Sequence, residues 1–163
     1  MPGSTLPDGQ TISPADIVGM SGLEVMQAVA DGRLPPAPIA DVMGYRLVSV
    51  APGEAVFEGT PSPAFRNPMG AIHGGWYGTL LDSALGCAVH TMMPEGASYT
   101  TLEYKVNITR AIRPGTTIRC IGKTSHVGRS TAVAEARIEG VEDGKLYATG
   151  STTCIILSMG RGD

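Results

Sequence analysis

The stretch HGGWYGTLLDSALGCAVH, residues 73–90, decides how the rest of the chain is read. It has the length and apolar content of one core helix, yet it carries interior glycines and a single carboxylate, Asp82. Interior glycine costs about 1 kcal/mol relative to alanine, and a buried acid without a partner costs more. At steps of four, Gly74, Gly78, Asp82, Gly86 and His90 fall on nearly one face, so the acid stands between two positions without side chains. Trp76, Leu80, Leu81, Leu85, Ala88, Val89 and Met92 supply the apolar surface that packs on a sheet. The hollowed face implies a close approach, by a ligand and by a second helix. The competing reading is that the glycines only permit tight packing while Asp82 bonds a neighbouring amide.

Outward from the helix the pattern changes period. Upstream, YRLVSVAPGEAVFEGTP (45–61) alternates apolar and polar residues about a Pro-Gly turn, a hairpin signature. SPAFRNPMGAI (62–72) is a loop broken by Pro63 and Pro68. Downstream, YTTLEYKVNITRAI, TTIRCIGKTSHV, RSTAVAEARIEG and KLYATGSTTCIILS read as four strands. Their turns fall at Pro114-Gly115, Val127-Gly128 and Glu142-Asp143-Gly144. Two strands, one long helix and four more strands make an α+β layer arrangement. Residues 1–38 form an extension, poorly packed apart from a short helix at SGLEVMQAVADG, where Ser21 caps and Gly32 terminates. RLPPAPIADVMG (33–44) is proline punctuation leading into the domain at 39–159, and residues 160–163 are a tail. The closing RGD, a three-residue match to an adhesion tripeptide, carries almost no information.

The 163 residues suit one domain. A formal charge of -3 gives no support to a nucleic-acid or anionic-membrane surface. Cys87, Cys120 and Cys154 have no metal-type spacing, and their odd number argues against a disulfide framework, so a reducing cytoplasm is the expected setting. No metal site is expected. The N-terminal residues lack the pattern of a signal peptide, and the helix is too short and too polar to span a membrane.

The loop NPMGAIHGG opens directly into the helix, where free amide hydrogens and the positive end of the helix dipole can stabilise an oxyanion. An acid together with an oxyanion site suggests acyl transfer or acyl hydrolysis. Gly74 and Asp82, however, are eight residues apart, about 12 Å along the axis, too far for one carbonyl to touch both. Either they serve different sites, or the carboxylate comes from a second subunit whose helix runs antiparallel beside the first, giving two equivalent sites about a twofold axis.

NPMGAIHGGWYGTLLDSALGCAVH, YTTLEYKVNITRAIRPGTTIRCIG and SHVGRSTAVAEARI, taken in order and spacing, resemble the hotdog-fold acyl-CoA thioesterases of the phenylacetate-degradation type, over residues 40–157. The resemblance implies a long central helix wrapped by a curved antiparallel sheet of about six strands. It also implies protomers joined edge to edge, with active sites at their interface. It implies that Asn67 positions substrate or water and that Gly74 offers its amide to the thioester oxygen, with Gly75 beside it in substrate binding and His73 orienting the turn. Asp82 then comes from the partner subunit as general base or nucleophile. Thr101, rather than Thr100, lines the site. Arg129, in VGRS, matches a recurrent family element and is the leading contact for the CoA phosphates, with Arg110 second. Solvation is preferred for Lys123 and Arg113. His90 and His126 are read as structural, and Cys87 as a small hydrophobe.

The expected function is hydrolysis of an acyl-CoA thioester to free acid and CoA, without metal or organic cofactor, since coenzyme A is part of the substrate. A homodimer is expected, pairing into a tetramer. The alternatives are a non-catalytic acyl-CoA sensor and a hydratase or dehydratase acting on an acyl thioester.

Overall fold

Helix α3 (Gly74–His90) is the element around which the others are arranged. His73 is its N-cap, and the helix buries Trp76, Leu80, Leu81, Ala84, Leu85 and Val89. The computed structural model describes residues 10–158. Its strands are β1 (Tyr45–Ala51), β2 (Glu54–Gly59), β3 (Ala97–Ile108), β4 (Ile118–Val127), β5 (Thr131–Gly140) and β6 (Leu146–Ser158). They form one antiparallel sheet in the order β1-β2-β4-β5-β6-β3, and α3 packs against β2 through β6. This is the α+β hotdog arrangement expected from the sequence. Period two is clearest in β5, which buries Ala132, Ala134, Ala136 and Ile138 and turns the intervening residues outward. On that outward face Arg119 pairs with Glu58 and Lys123 with Glu54 across neighbouring strands. The expected tail at 160–163, with its RGD, lies outside the described residues, as do residues 1–9 of the extension.

The described part of the extension, residues 10–38, is better packed than expected. Helix α1 (Gly22–Ala30) is capped by Ser21, whose amide and hydroxyl bond Glu24 Oε2 at 2.7 and 2.8 Å. The Gly22 amide donates to the Met93 carbonyl at 2.9 Å, tying the start of α1 to the chain leaving α3. Val25 and Ala28, three residues apart, are buried, and α1 contacts β1 and α3. The following prolines do not remain loop throughout. Pro38 takes the first position of helix α2 (Pro38–Met43), where it sacrifices no hydrogen bond, and Gly44 ends that helix at φ +73°.

The glycine face of α3 is occupied, and by β3 of the same chain. A Cβ at Gly78 would lie 3.3 Å from Tyr104 Oη, and one at Gly86 would overlap the Tyr99 hydroxyl. The space read from the sequence as room for a second helix is filled at these two positions by tyrosine rings. A bulge between Thr101 and Glu103 makes this possible. Strict alternation would turn Tyr104 away from the face that Tyr99 and Thr101 share, and the extra residue restores it. Leu102, the residue taken up by the bulge, is exposed.

His90, at the end of α3, stacks obliquely on Tyr99 with ring centroids 5.6 Å apart. Burial holds its pKa below the ordinary 6.5. The folded chain therefore keeps the ring neutral where the unfolded chain takes up a proton. The associated stability is present above the unfolded value and is lost as pH falls from about 6.5 through the folded-state value. Urea midpoints at about pH 7.5 and about pH 5.5 test this, and His90→Gln is expected to flatten the difference.

Candidate functional site

Asp82 projects from the middle of α3 toward β3, where Thr101 Oγ1 donates to its Oδ1 at 3.0 Å. Thr101 is its one hydrogen-bond partner among the described residues, so the second carboxylate oxygen keeps its lone pairs for another donor. Thr100, the neighbour set aside from the sequence, is exposed and points away. Ser83, the next residue on α3, bonds the Tyr45 hydroxyl at 2.9 Å. Neither Ser83 nor Tyr45 was singled out from the sequence. The only sign was a serine beside the acid.

The carboxylate opens onto a cavity of about 420 Å³. Met26 and Val29 of α1, Pro35 of the segment that follows, Leu47 of β1, Phe57 of β2 and Tyr99 of β3 form its apolar walls. Asp82, Ser83 and Thr101 form its polar end. β1 and β3 are the two edges of the sheet, so the cavity lies in the seam left where the sheet curls around α3, and α1 with its proline-rich sequel covers that seam. Its walls are largely apolar. Burial, reinforced by the Asp82 charge, pushes the Cys87 thiol up to about 12, and burial raises Tyr99 well above the usual phenol range. Cys87 is thus a thiol and not a thiolate at neutral pH, as its reading as a small hydrophobe requires.

At the other end of the site, the α3 N-terminus is built by a short loop. Asn67 Oδ1 accepts the Met69 and Ala71 amides at 2.9 and 3.2 Å, and the Phe65 carbonyl receives the His73 amide at 2.8 Å. The carboxamide oxygen of Asn67 is therefore committed to its own turn, leaving the NH2 as the group it can present to a ligand. His73 Nδ1 accepts the Gly75 amide at 2.9 Å, which fixes the ring as the tautomer protonated on Nε2 and occupies the Gly75 N–H. The amide of Gly74 has no partner among the described residues, and Gly74 is exposed. Of the two glycines named from the sequence, Gly74 alone offers a free donor at the positive end of the helix.

The two ends do not meet within one chain, because eight residues of α3 separate them. The arginines divide in the same way. Arg110 follows β3 at the Gly74 end, with its guanidinium 6.0 Å from the centre of the Tyr147 ring and its carbonyl accepting from Tyr77 Oη at 3.1 Å. Arg129 is exposed in the β4–β5 turn, beside the start of β5, where Thr131 pairs with Ile155 near the opposite end of α3. No group of three or more His, Cys, Asp and Glu suited to a metal ion is found among the described residues. No described helix is long and apolar enough to cross a membrane.

The sequence matches the thioesterase superfamily over residues 69–147, the part that carries the end of the loop, α3 and strands β3 to β5. A conserved protein from Pseudomonas aeruginosa is 30% identical in sequence, with a TM-score of 0.70 over 75% of this chain and 95% of that one. The phenylacetic acid degradation protein PaaI from Thermus thermophilus, solved as a mutant, is 26% identical, with a TM-score of 0.66 over 72% of this chain and 97% of that one. A hypothetical thioesterase from Streptococcus pneumoniae, solved with coenzyme A, is 24% identical, with a TM-score of 0.65 over 71% and 87% of the two chains. No curated protein matches the sequence.

Proposed function

We propose, from the premise that this chain belongs to the thioesterase superfamily, that it hydrolyses an acyl-CoA thioester to a free carboxylic acid and CoA. The observation that carries the reading is the pairing of an available carboxylate, Asp82, in an apolar cavity with a free amide, Gly74, at the start of the same helix. The two are about 12 Å apart along the axis, so they serve one reaction only across a pair of protomers with antiparallel helices. The solved relative with coenzyme A adds support for the ligand class.

In this mechanism the substrate carbonyl lies against the partner's Gly74 and the acyl group enters the cavity beside Asp82. Asp82 takes a proton from water as the water oxygen attacks the thioester carbon. The tetrahedral oxyanion accepts the amide hydrogen of the partner's Gly74 and is stabilised by the helix dipole. Collapse breaks the C–S bond, and the protonated Asp82 returns its proton to the leaving CoA thiolate. Thr101 holds one carboxylate oxygen so that the other faces the water. His73 acts through the turn it orders, since its Nδ1 is engaged by Gly75. With Nδ1 engaged by Gly75, His73 keeps only Nε2 for proton exchange, which favours hydrolysis over the His–acid pair of a hydratase. Arg129 reaches the CoA phosphates of the thioester seated on the partner's Gly74, because antiparallel helices bring the opposite ends of the two protomers together.

Release of thiol from a panel of acyl-CoAs tests the reading. Turnover of at least one member supports it. Saturable binding with no thiol release favours the sensor. Thr101→Val is expected to lower kcat about tenfold with little change in KM, because it loosens the base while keeping a side chain of the same size in the cavity wall. Steady-state kinetics on the preferred acyl-CoA checks this.

A further inference from the structure

The cavity beside Asp82 is not the only space that α1 borders. A second, larger groove of about 1280 Å³ runs along the start of α1 and the start of β3, past His90, Glu95 and Ser98. Four residues line both spaces: Ile12, Met26, Cys87 and Tyr99. Cys87 and Tyr99 are fixed, the first within α3 and the second by its ring over Gly86 and against His90. Met26 is a partly buried, unbranched side chain on α1, able to change shape at small cost.

From this geometry we infer that Met26 is the residue that sets acyl length, a partition between the cavity at Asp82 and the adjoining groove. The inference rests on the proposed thioester hydrolysis. With Met26 in place the acyl group is confined to about 420 Å³, near the small end of ligand pockets, which suits a medium aliphatic chain or one aromatic ring. A longer chain has to displace Met26 to run on into the groove.

The lining also specifies the charge of the acyl group. Among the described residues no Lys, Arg or His borders the cavity, and the one carboxylate there is Asp82. An acyl group ending in a second carboxylate would meet a like charge and no cation among apolar walls, so the site takes neutral, apolar acyl groups and rejects dicarboxylyl-CoAs. The charge preference draws on Asp82, a residue of the thioester chemistry, whereas the length limit comes from α1, which precedes the family match at residue 69.

The test is kcat/KM on butyryl-, octanoyl-, palmitoyl-, phenylacetyl- and succinyl-CoA for the full chain, Met26→Ala, Met26→Trp and Val29→Phe, with thermal melts confirming folding. Met26→Ala is expected to raise the palmitoyl-to-octanoyl ratio about tenfold, and Met26→Trp to lower the octanoyl-to-butyryl ratio by a similar factor. Val29→Phe, which fills the cavity from the next turn of α1, repeats the second result if Met26→Trp does not fold. Affinities of non-hydrolysable S-alkyl-CoA thioethers of the same lengths, by calorimetry, read the same preference without turnover. If wild-type protein releases thiol but the length profile is unchanged in the Met26 variants, the partition is wrong and the thioesterase stands. Succinyl-CoA hydrolysed as well as butyryl-CoA overturns the charge argument. Absence of hydrolysis alongside a thioether preference that shifts with Met26 removes the enzyme and keeps the partition, whereas absence of hydrolysis with no such shift removes both.

Discussion

Asp82→Asn and Asp82→Ala are expected to lower kcat for thioester hydrolysis by about three orders of magnitude while leaving the protein folded. The size follows from what the side chain does in the proposed reaction. It is the sole general base, and the amide of Gly74 and the helix dipole remain to give residual stabilisation of the oxyanion. Stability should not fall with activity. A carboxylate in apolar surroundings, held by one hydrogen bond to Thr101, contributes little to folding, and its neutral replacement is expected to keep or raise the melting temperature. Single-turnover thiol release and a thermal melt on the same preparations separate the two effects.

The second large effect is on stability and lies away from the chemistry. At Gly122, β4 crosses α3 so closely that a Cβ would overlap the Ala84 carbonyl oxygen and come 3.1 Å from the Leu85 amide. Both atoms are backbone of the central helix, which cannot turn aside as a side chain does. Gly122→Ala is expected to cost about 3 kcal/mol or more, lowering the melting temperature by about 10 °C. Because the helix displaced is the one that carries Asp82, the Asp82–Thr101 bond loosens with it, and kcat falls in the surviving folded protein. Gly74→Ala is the contrast. The nearest atom to its Cβ is the end of the Ile108 side chain at 3.4 Å, an ordinary contact.

The helix, the hairpin and the four later strands were legible because each keeps one hydrophobic period over many residues and ends on Gly or Pro. Ser21 announced the start of α1, and the structure adds Glu24 as its partner in a capping box. What was missed is of another kind. Helix α2 is too short for periodicity to show, and its proline resembles a loop signal while serving as a helix start. The packing of α1 depends on β1 and α3, elements distant in sequence, although Val25 and Ala28 hinted at a buried face. The bulge in β3 left a trace. Tyr99 falls on odd positions, whereas Tyr104 and Val106 fall on even ones, and this break of parity marks an inserted residue.

The site was legible in part for the same reasons. Asp82 and Gly74 follow from spacing along α3, whereas Thr101 follows only from the resemblance to the family. That Gly78 and Gly86 receive tyrosines of β3 does not follow, because a glycine records only that something comes close and not what it is. The cavity itself is assembled from α1, both sheet edges and α3, so no single segment announces it.

The central claim is that acid and amide of one site belong to different protomers, and subunit mixing tests it most directly. Gly74 is the first residue of α3, and His73 before it has φ -63° and ψ 140°, a conformation that a following proline accepts. Gly74→Pro therefore removes the amide hydrogen with little other disturbance. Asp82→Ala and Gly74→Pro proteins, each inactive alone, are to be unfolded together, refolded as a mixture and assayed. A site shared across protomers leaves every mixed pair with one intact site, and random pairing returns about one quarter of wild-type activity. A site contained within one protomer returns none, and that result would contradict the account.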